Sequence, residues 1–278
     1  MHYVQILILA IVQGAAELLP VSSSAHVIMA EKWMGLDPTS PAMTFLLVML
    51  HTGTMFAVIV YFWSSWRETF FRSMAAFRDA AVRIVAATAA TGLIGLALLE
   101  IIKHVVAGGR PDFEIESIFG SPHLIATALF AAGVLIIVSS RADTGRDGEL
   151  TLARAGWIGA VQGLCLPFRG FSRSGATISA GMLLGVARRR AEEFSFALAV
   201  VLTPPVVARE GWRLLKAHAA GGADVGMGLF LPGLAGMVLS FVAGLLALRW
   251  LSRWLEQGRW YLFGIYCLVA AAVVWIFG

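Results

Sequence analysis

The sequence predicts an all-α integral membrane protein of about six transmembrane helices plus two re-entrant helical hairpins, arranged as an inverted-topology repeat. Three observations carry that prediction. Hydrophobic residues make up 59% of the 278 positions and charged residues only 14%, with a mean hydropathy of +0.80. No soluble domain of this size needs so much apolar surface. The apolar residues gather into runs of about 20, the length that crosses a bilayer core. Two short polar breaks interrupt that background and rhyme with each other. One is Val12-Gln13-Gly14 followed by Ser22-Ser23-Ser24 and His26; the other is Val161-Gln162-Gly163 followed by Ser172-Arg173-Ser174 and Thr177.

Taken in order, residues 3–19 are apolar but run straight into Pro20 and three serines, then into a second short apolar piece at 25–33. That reads as two short helices meeting at an irregular tip, a hairpin that enters and leaves on one side. Stretches 42–63, 84–102 and 124–139 read as full spans, each ending near charged, Trp or Tyr residues suited to the interface. Residues 157–166, then Pro167, Arg169 and Gly170, then 176–186 repeat the hairpin pattern. Stretch 194–208 holds Pro204-Pro205, so a kink or broken end is expected there. Stretches 227–248 and 260–277 complete the spans. The chain is read as a single membrane domain, 1–278, with repeats at 1–140 and 155–278, each a hairpin plus three helices.

Charge sets the orientation. Loop 64–83 carries Arg67, Arg72, Arg78 and Arg83 and is expected inside; 103–122 carries Asp112, Glu114 and Glu116 and is expected outside. Thirteen Lys and Arg then fall inside against six outside, with Arg169 and Arg173 in the second polar break. On this orientation the first hairpin dips in from outside and the second from inside. Repeats of that kind put their site near the midplane. Helix N-termini at the two tips would offer N–H groups and positive dipole ends to an anion. The net charge of +4 accordingly marks membrane loops, not a nucleic-acid partner. Cys165 and Cys267 lie in apolar stretches without metal-ligand spacing and read as packing residues. A homodimer is among the assemblies the sequence leaves open.

Glu17 follows Gln13 by one helical turn, so both face the same side of the first short helix. A carboxylate in apolar sequence is costly unless paired or wetted. It is read as a metal ligand, a general base or an orienting partner for His26, against a structural hydrogen bond to a serine or a backbone end. His26 beside Ser22, Ser23 and Ser24 allows a Ser–His nucleophile pair, or attack by the imidazole itself. Arg173 keeps its charge, and its fork matches phosphate oxygens in a bidentate way. Ser172, Ser174 and Gly175 add hydroxyls and a close backbone approach. The bland reading of Arg173 is a buried ion pair with Glu17. His51, with Thr52 and Thr54, lies mid-span and could line the cavity, but packing is the favoured reading because no partner is implied nearby.

At Gln13–Glu17, Pro20–His26 and Gly170–Thr177 the chain resembles the undecaprenyl pyrophosphate phosphatase family of the bacitracin-resistance type, in length, span pattern and motif order. The family's Glu/Gln-x-x-x-Glu matches Gln13 and Glu17, and its Pro-Val-Ser-Ser-x-x-His matches Pro20, Val21, Ser22, Ser23 and His26. Its Pro-Gly-x-Ser-Arg-Ser-x-x-Thr matches Gly170, Ser172, Arg173, Ser174 and Thr177, with Arg169 standing where the family has proline. The resemblance implies hydrolysis of undecaprenyl diphosphate to the monophosphate lipid carrier of peptidoglycan synthesis. It further implies a bacterial inner membrane, a site open to the periplasm, and a divalent cation, magnesium or calcium. Glu17, Ser23, His26 and Arg173 would be catalytic, Ser23 or His26 as nucleophile or base and Glu17 orienting it or holding the metal. Gln13, Ser22, Arg169, Gly170, Ser172, Ser174 and Thr177 would bind the diphosphate. Gln13 in place of the first glutamate argues against a two-carboxylate metal site. The rival of another class is a flippase for a polyprenyl phosphate, because an inverted repeat around an anion site also builds a carrier.

Overall fold

A computed structural model describes residues 3–37, 40–107, 121–142, 148–168, 170–219 and 227–277. Its helices are α1 Tyr3–Leu18, α2 Ser23–Trp33, α3 Pro41–Thr69, α4 Met74–Ala107, α5 Pro122–Ala142, α6 Leu152–Cys165, α7 Arg173–Leu183, α8 Arg188–Ala219, α9 Met227–Glu256 and α10 Tyr261–Phe277. Among the described residues the one β feature is a single bridge between Gly148 and Val186. The protein is all-helical and crosses the membrane several times. Among the described residues, five helices hold a segment long and apolar enough to span: Met43–Thr69, Met74–Val105, Pro122–Ala142, Arg188–Arg209 and Phe230–Glu256. The expected sixth span, α10, is apolar but has 17 residues, the short end of what crosses a bilayer.

The two hairpins are built alike. Helices of 16 and 11 residues flank the first tip, and helices of 14 and 11 residues flank the second. At 1.5 Å per residue they measure about 17–24 Å, short of the ~30 Å hydrocarbon core. Of the kink or broken end expected at Pro204-Pro205, the broken end is corrected. Pro204 and Pro205 do not end their helix; α8 continues from Arg188 to Ala219 with both prolines inside. The two missing N–H donors are adjacent, so the loss is confined to one turn. The Thr203 hydroxyl, which donates to the Ala199 carbonyl at 2.8 Å, lies in that same turn. Of the acidic outside stretch expected at 103–122, residues 108–120 lie outside the described residues.

The chain forms two compact units. The first comprises Met1–Leu19, Ser23–Trp63 and Ala199–Leu251; the second comprises Pro20–Ser22, Ser64–Leu198 and Ser252–Gly278. In the first, α1 buries Ile6, Leu9 and Ala10 against Val27 of α2 and Met43, Leu46 and Leu50 of α3. The opposite side of α1 leaves Tyr3, Val4, Leu7 and Ile11 exposed, as a lipid-facing stripe does. In the second, α4 packs along α6, α10 along α5, and α7 against both α5 and α6.

Candidate active site

The buried stripe of α1 continues one turn past Leu9 and Ala10 to Gln13, which is also buried. Gln13 Nε2 donates to Glu17 Oε2 at 3.2 Å, the i to i+4 pair the spacing predicts. Two residues beyond Pro20 the chain turns sharply at Ser22, the one described non-glycine residue at positive φ (68°). That backbone costs a serine about 1–2 kcal/mol and is held by its surroundings. The turn starts α2 at Ser23, whose hydroxyl donates to Glu17 Oε2 at 2.5 Å. A bond this short to a carboxylate is charge-assisted and strong. His26 lies half-buried three residues further along α2, on the face that carries Ser23.

A third side chain reaches the same carboxylate. His51 Nε2 stands 3.8 Å from Glu17 Oε2, and its Nδ1 lies 2.8 Å from the Leu47 carbonyl one turn back. The reading of His51 as packing is therefore corrected: its ring is oriented by the helix backbone and faces the site acid. Thr54 is taken up locally, donating to the His51 carbonyl at 2.9 Å.

The second cluster opens at Gly170. Its φ is +104°, and a β-carbon there would sit 2.6 Å from the Ile125 carbonyl oxygen, so only glycine fits. Gly170→Ala is expected to lower stability by about 2 kcal/mol or more, read as a drop in unfolding midpoint in detergent. Ser172 caps α7, its side chain accepting from the Gly175 N–H at 3.2 Å. Arg173 is then the first helical residue, at the positive end of the helix. Ser174 and Thr177 are buried. The Thr177 hydroxyl lies 2.8 Å from the Arg173 carbonyl and 2.6 Å from Ser195 Oγ, so these contacts tie α7 to α8. Ser195 is a residue the sequence reading missed. Arg169 lies outside the described residues.

Within the second unit, the tip of the first hairpin meets the second motif. A β-carbon on Gly175 would stand 3.2 Å from Pro20 Cβ and 3.1 Å from Ser172 Oγ. The Cys267 thiol of α10 donates to the Pro20 carbonyl at 3.3 Å, so the cysteine read as packing also pins the tip. The rhyme is incomplete in its chemistry. Gln162 of α6 donates to Thr91 Oγ1 of α4 at 3.1 Å, and four residues after it stands Leu166, not an acid. Thr91 in turn donates to the Gly159 carbonyl at 2.8 Å, which makes that glutamine part of helix packing.

Among the described residues no group of three or more His, Cys, Asp or Glu could enclose a metal ion. The Glu17 cluster offers one carboxylate with amide, hydroxyl and imidazole neighbours. That set does not make a closed cage. It does fit a hard cation of the magnesium kind, which keeps waters and takes one or two carboxylates plus phosphate oxygens.

Residues 6–273 match the family described as "Bacitracin resistance protein BacA". The chain is 62% identical over 277 residues to "Undecaprenyl-diphosphatase 2" of Acinetobacter baylyi, covering 99% of this chain and 97% of that one. It is 34% identical to "Undecaprenyl-diphosphatase" of Desulfosudis oleivorans, covering 99% of each. A protein of the same name from Thermus thermophilus is 33% identical, with 96% and 94% covered. With nearly the whole length matched, the chain belongs to the bacitracin resistance protein BacA family.

Proposed function

We propose that this protein hydrolyses undecaprenyl diphosphate to undecaprenyl phosphate and inorganic phosphate, returning the lipid carrier to peptidoglycan synthesis. The observation that carries the reading is the 2.5 Å hydrogen bond that the Ser23 hydroxyl donates to the Glu17 carboxylate, a nucleophile beside a base. The names of the relatives point the same way.

The sequence left open whether Ser23 or His26 attacks; the bond to Glu17 favours Ser23. Its Oγ attacks the terminal phosphorus while its proton passes to Glu17. The bond from that phosphorus to the bridging oxygen breaks, and undecaprenyl phosphate leaves with the electron pair. Water then attacks the phosphoserine, giving its proton to His26. Glu17 returns the first proton to Ser23 Oγ as inorganic phosphate departs, and His26 gives up its proton to solvent or to the departing phosphate. Arg173, at the N-terminal end of α7, neutralises charge on the transferred phosphoryl oxygens. Gln13 and His51 hold the Glu17 carboxylate in place. Ser22, Gly170, Ser172 and Ser174 shape the two tips around the diphosphate. Glu17 is the residue that would hold a divalent cation, magnesium or calcium, which supplies further charge neutralisation to the diphosphate. The polyprenyl tail lies among apolar helices, in a bacterial inner membrane, with the hairpins as an inverted repeat and the site open to the periplasmic side.

Purified protein in detergent, where no membrane potential exists, is expected to release phosphate from undecaprenyl diphosphate. Absence of release, together with movement of labelled lipid across liposomes holding the same protein, would replace the enzyme by a carrier.

A further inference from the structure

The α4 segment Met74–Val105 is the least covered of the five spans, with 17% of its most apolar window buried. Near its N-terminal end lies a groove of about 570 Å³, lined by Phe77, Ala81, Val82 and Val85 of α4 and by Leu152 at the start of α6. The walls are apolar and open: Phe77 is 46% exposed, Val85 66% and Leu152 50%. One lining residue is charged, Arg78. Its nearest acid in sequence, Asp79, is already committed to Arg83 at 2.8 Å. Among the described residues no ion pair or hydrogen bond engages the Arg78 guanidinium. Arg67 and Arg72 are two further cations in the sequence just before α4.

We propose that this groove is a binding site for an anionic phospholipid, one acyl chain lying along α4 and the phosphate on the Arg78 fork. An open apolar trough with one cation in its lining, unpaired among the described residues, is complementary to a lipid with an anionic headgroup. It is a poor fit to other occupants. A second copy of this chain related by a two-fold axis would bring Arg78 toward its own mate or bury it against apolar surface, and either costs more than it gains. A zwitterionic lipid would leave its own cation beside Arg78. Basic pockets between helices at the positively charged side of membrane proteins select headgroups in this manner.

Native mass spectrometry of delipidated protein in a nonionic detergent, titrated with phosphatidylglycerol or phosphatidylcholine, tests the site. Wild type is expected to half-saturate with phosphatidylglycerol at a roughly fivefold lower concentration. Arg78→Gln is expected to erase that preference with phosphate release unchanged, whereas Arg141→Gln, a charge removed at the end of α5, keeps it. Ala81→Trp, which fills the groove, is expected to lower occupancy by both lipids. Equal affinities in wild type, a preference surviving in Arg78→Gln, or a protein dimer that Ala81→Trp dissociates without changing lipid uptake would each overturn the proposal.

Discussion

Arg173→Ala is expected to lower kcat by about 10³-fold or more, the range seen when an arginine that stabilises a transferring phosphoryl group is removed. The protein should still fold. One structural contact at this position runs through the Arg173 carbonyl, which accepts from the Thr177 hydroxyl at 2.8 Å, and alanine keeps that carbonyl. Ser172 and its cap on the Gly175 N–H are likewise untouched. Arg173→Lys separates charge from shape. Lysine restores a cation on a flexible stem but not a planar fork, so it should recover only part of the rate. Unfolding midpoint and gel-filtration profile in detergent check the fold, and phosphate release checks the chemistry. Near wild-type kcat in Arg173→Ala would remove the residue from the reaction.

What the sequence revealed, and what it hid, follows from range. The spans were legible because a membrane core demands apolar side chains for about 20 residues at a stretch. Their ends were not. The apolar reading begins at residue 84, yet α4 begins at Met74. Arg78, Asp79 and Arg83 are sound helix formers that simply stand outside the hydrocarbon, and the Asp79–Arg83 pair braces that turn. Hydropathy measures the membrane, not the helix. The prolines of α8 misled for a related reason, since a lost N–H weakens one turn without setting where the helix stops. The Gln13–Glu17–Ser23 cluster was readable because its members lie within ten residues and one short turn. His51 is 34 positions from Glu17, and no local spacing can bring it there. Ser195 and Thr91 were invisible on the same ground, each meeting its partner across helices.

Glu17→Gln and Ser23→Ala are expected to lower turnover by roughly 10²–10⁴-fold each, and the double variant should be no worse than the weaker of the two. The reasoning is that the pair acts as one device. With Ser23 gone, Glu17 has no proton to accept; with Glu17 gone, the hydroxyl has no base at 2.5 Å. Independent roles would instead give losses that multiply. His26 enters only at the second step, so its removal should have a distinct signature. His26→Ala is expected to slow water attack and let phosphoserine accumulate at residue 23, seen as a phosphorylated Ser23 peptide by mass spectrometry after rapid acid quench. In Glu17→Gln the same peptide should stay unmodified, because the first step fails. A phosphorylated His26 in the wild type would reverse the assignment and make the imidazole the nucleophile. Multiplicative losses in the double variant would separate Glu17 from Ser23 and return the acid to binding alone.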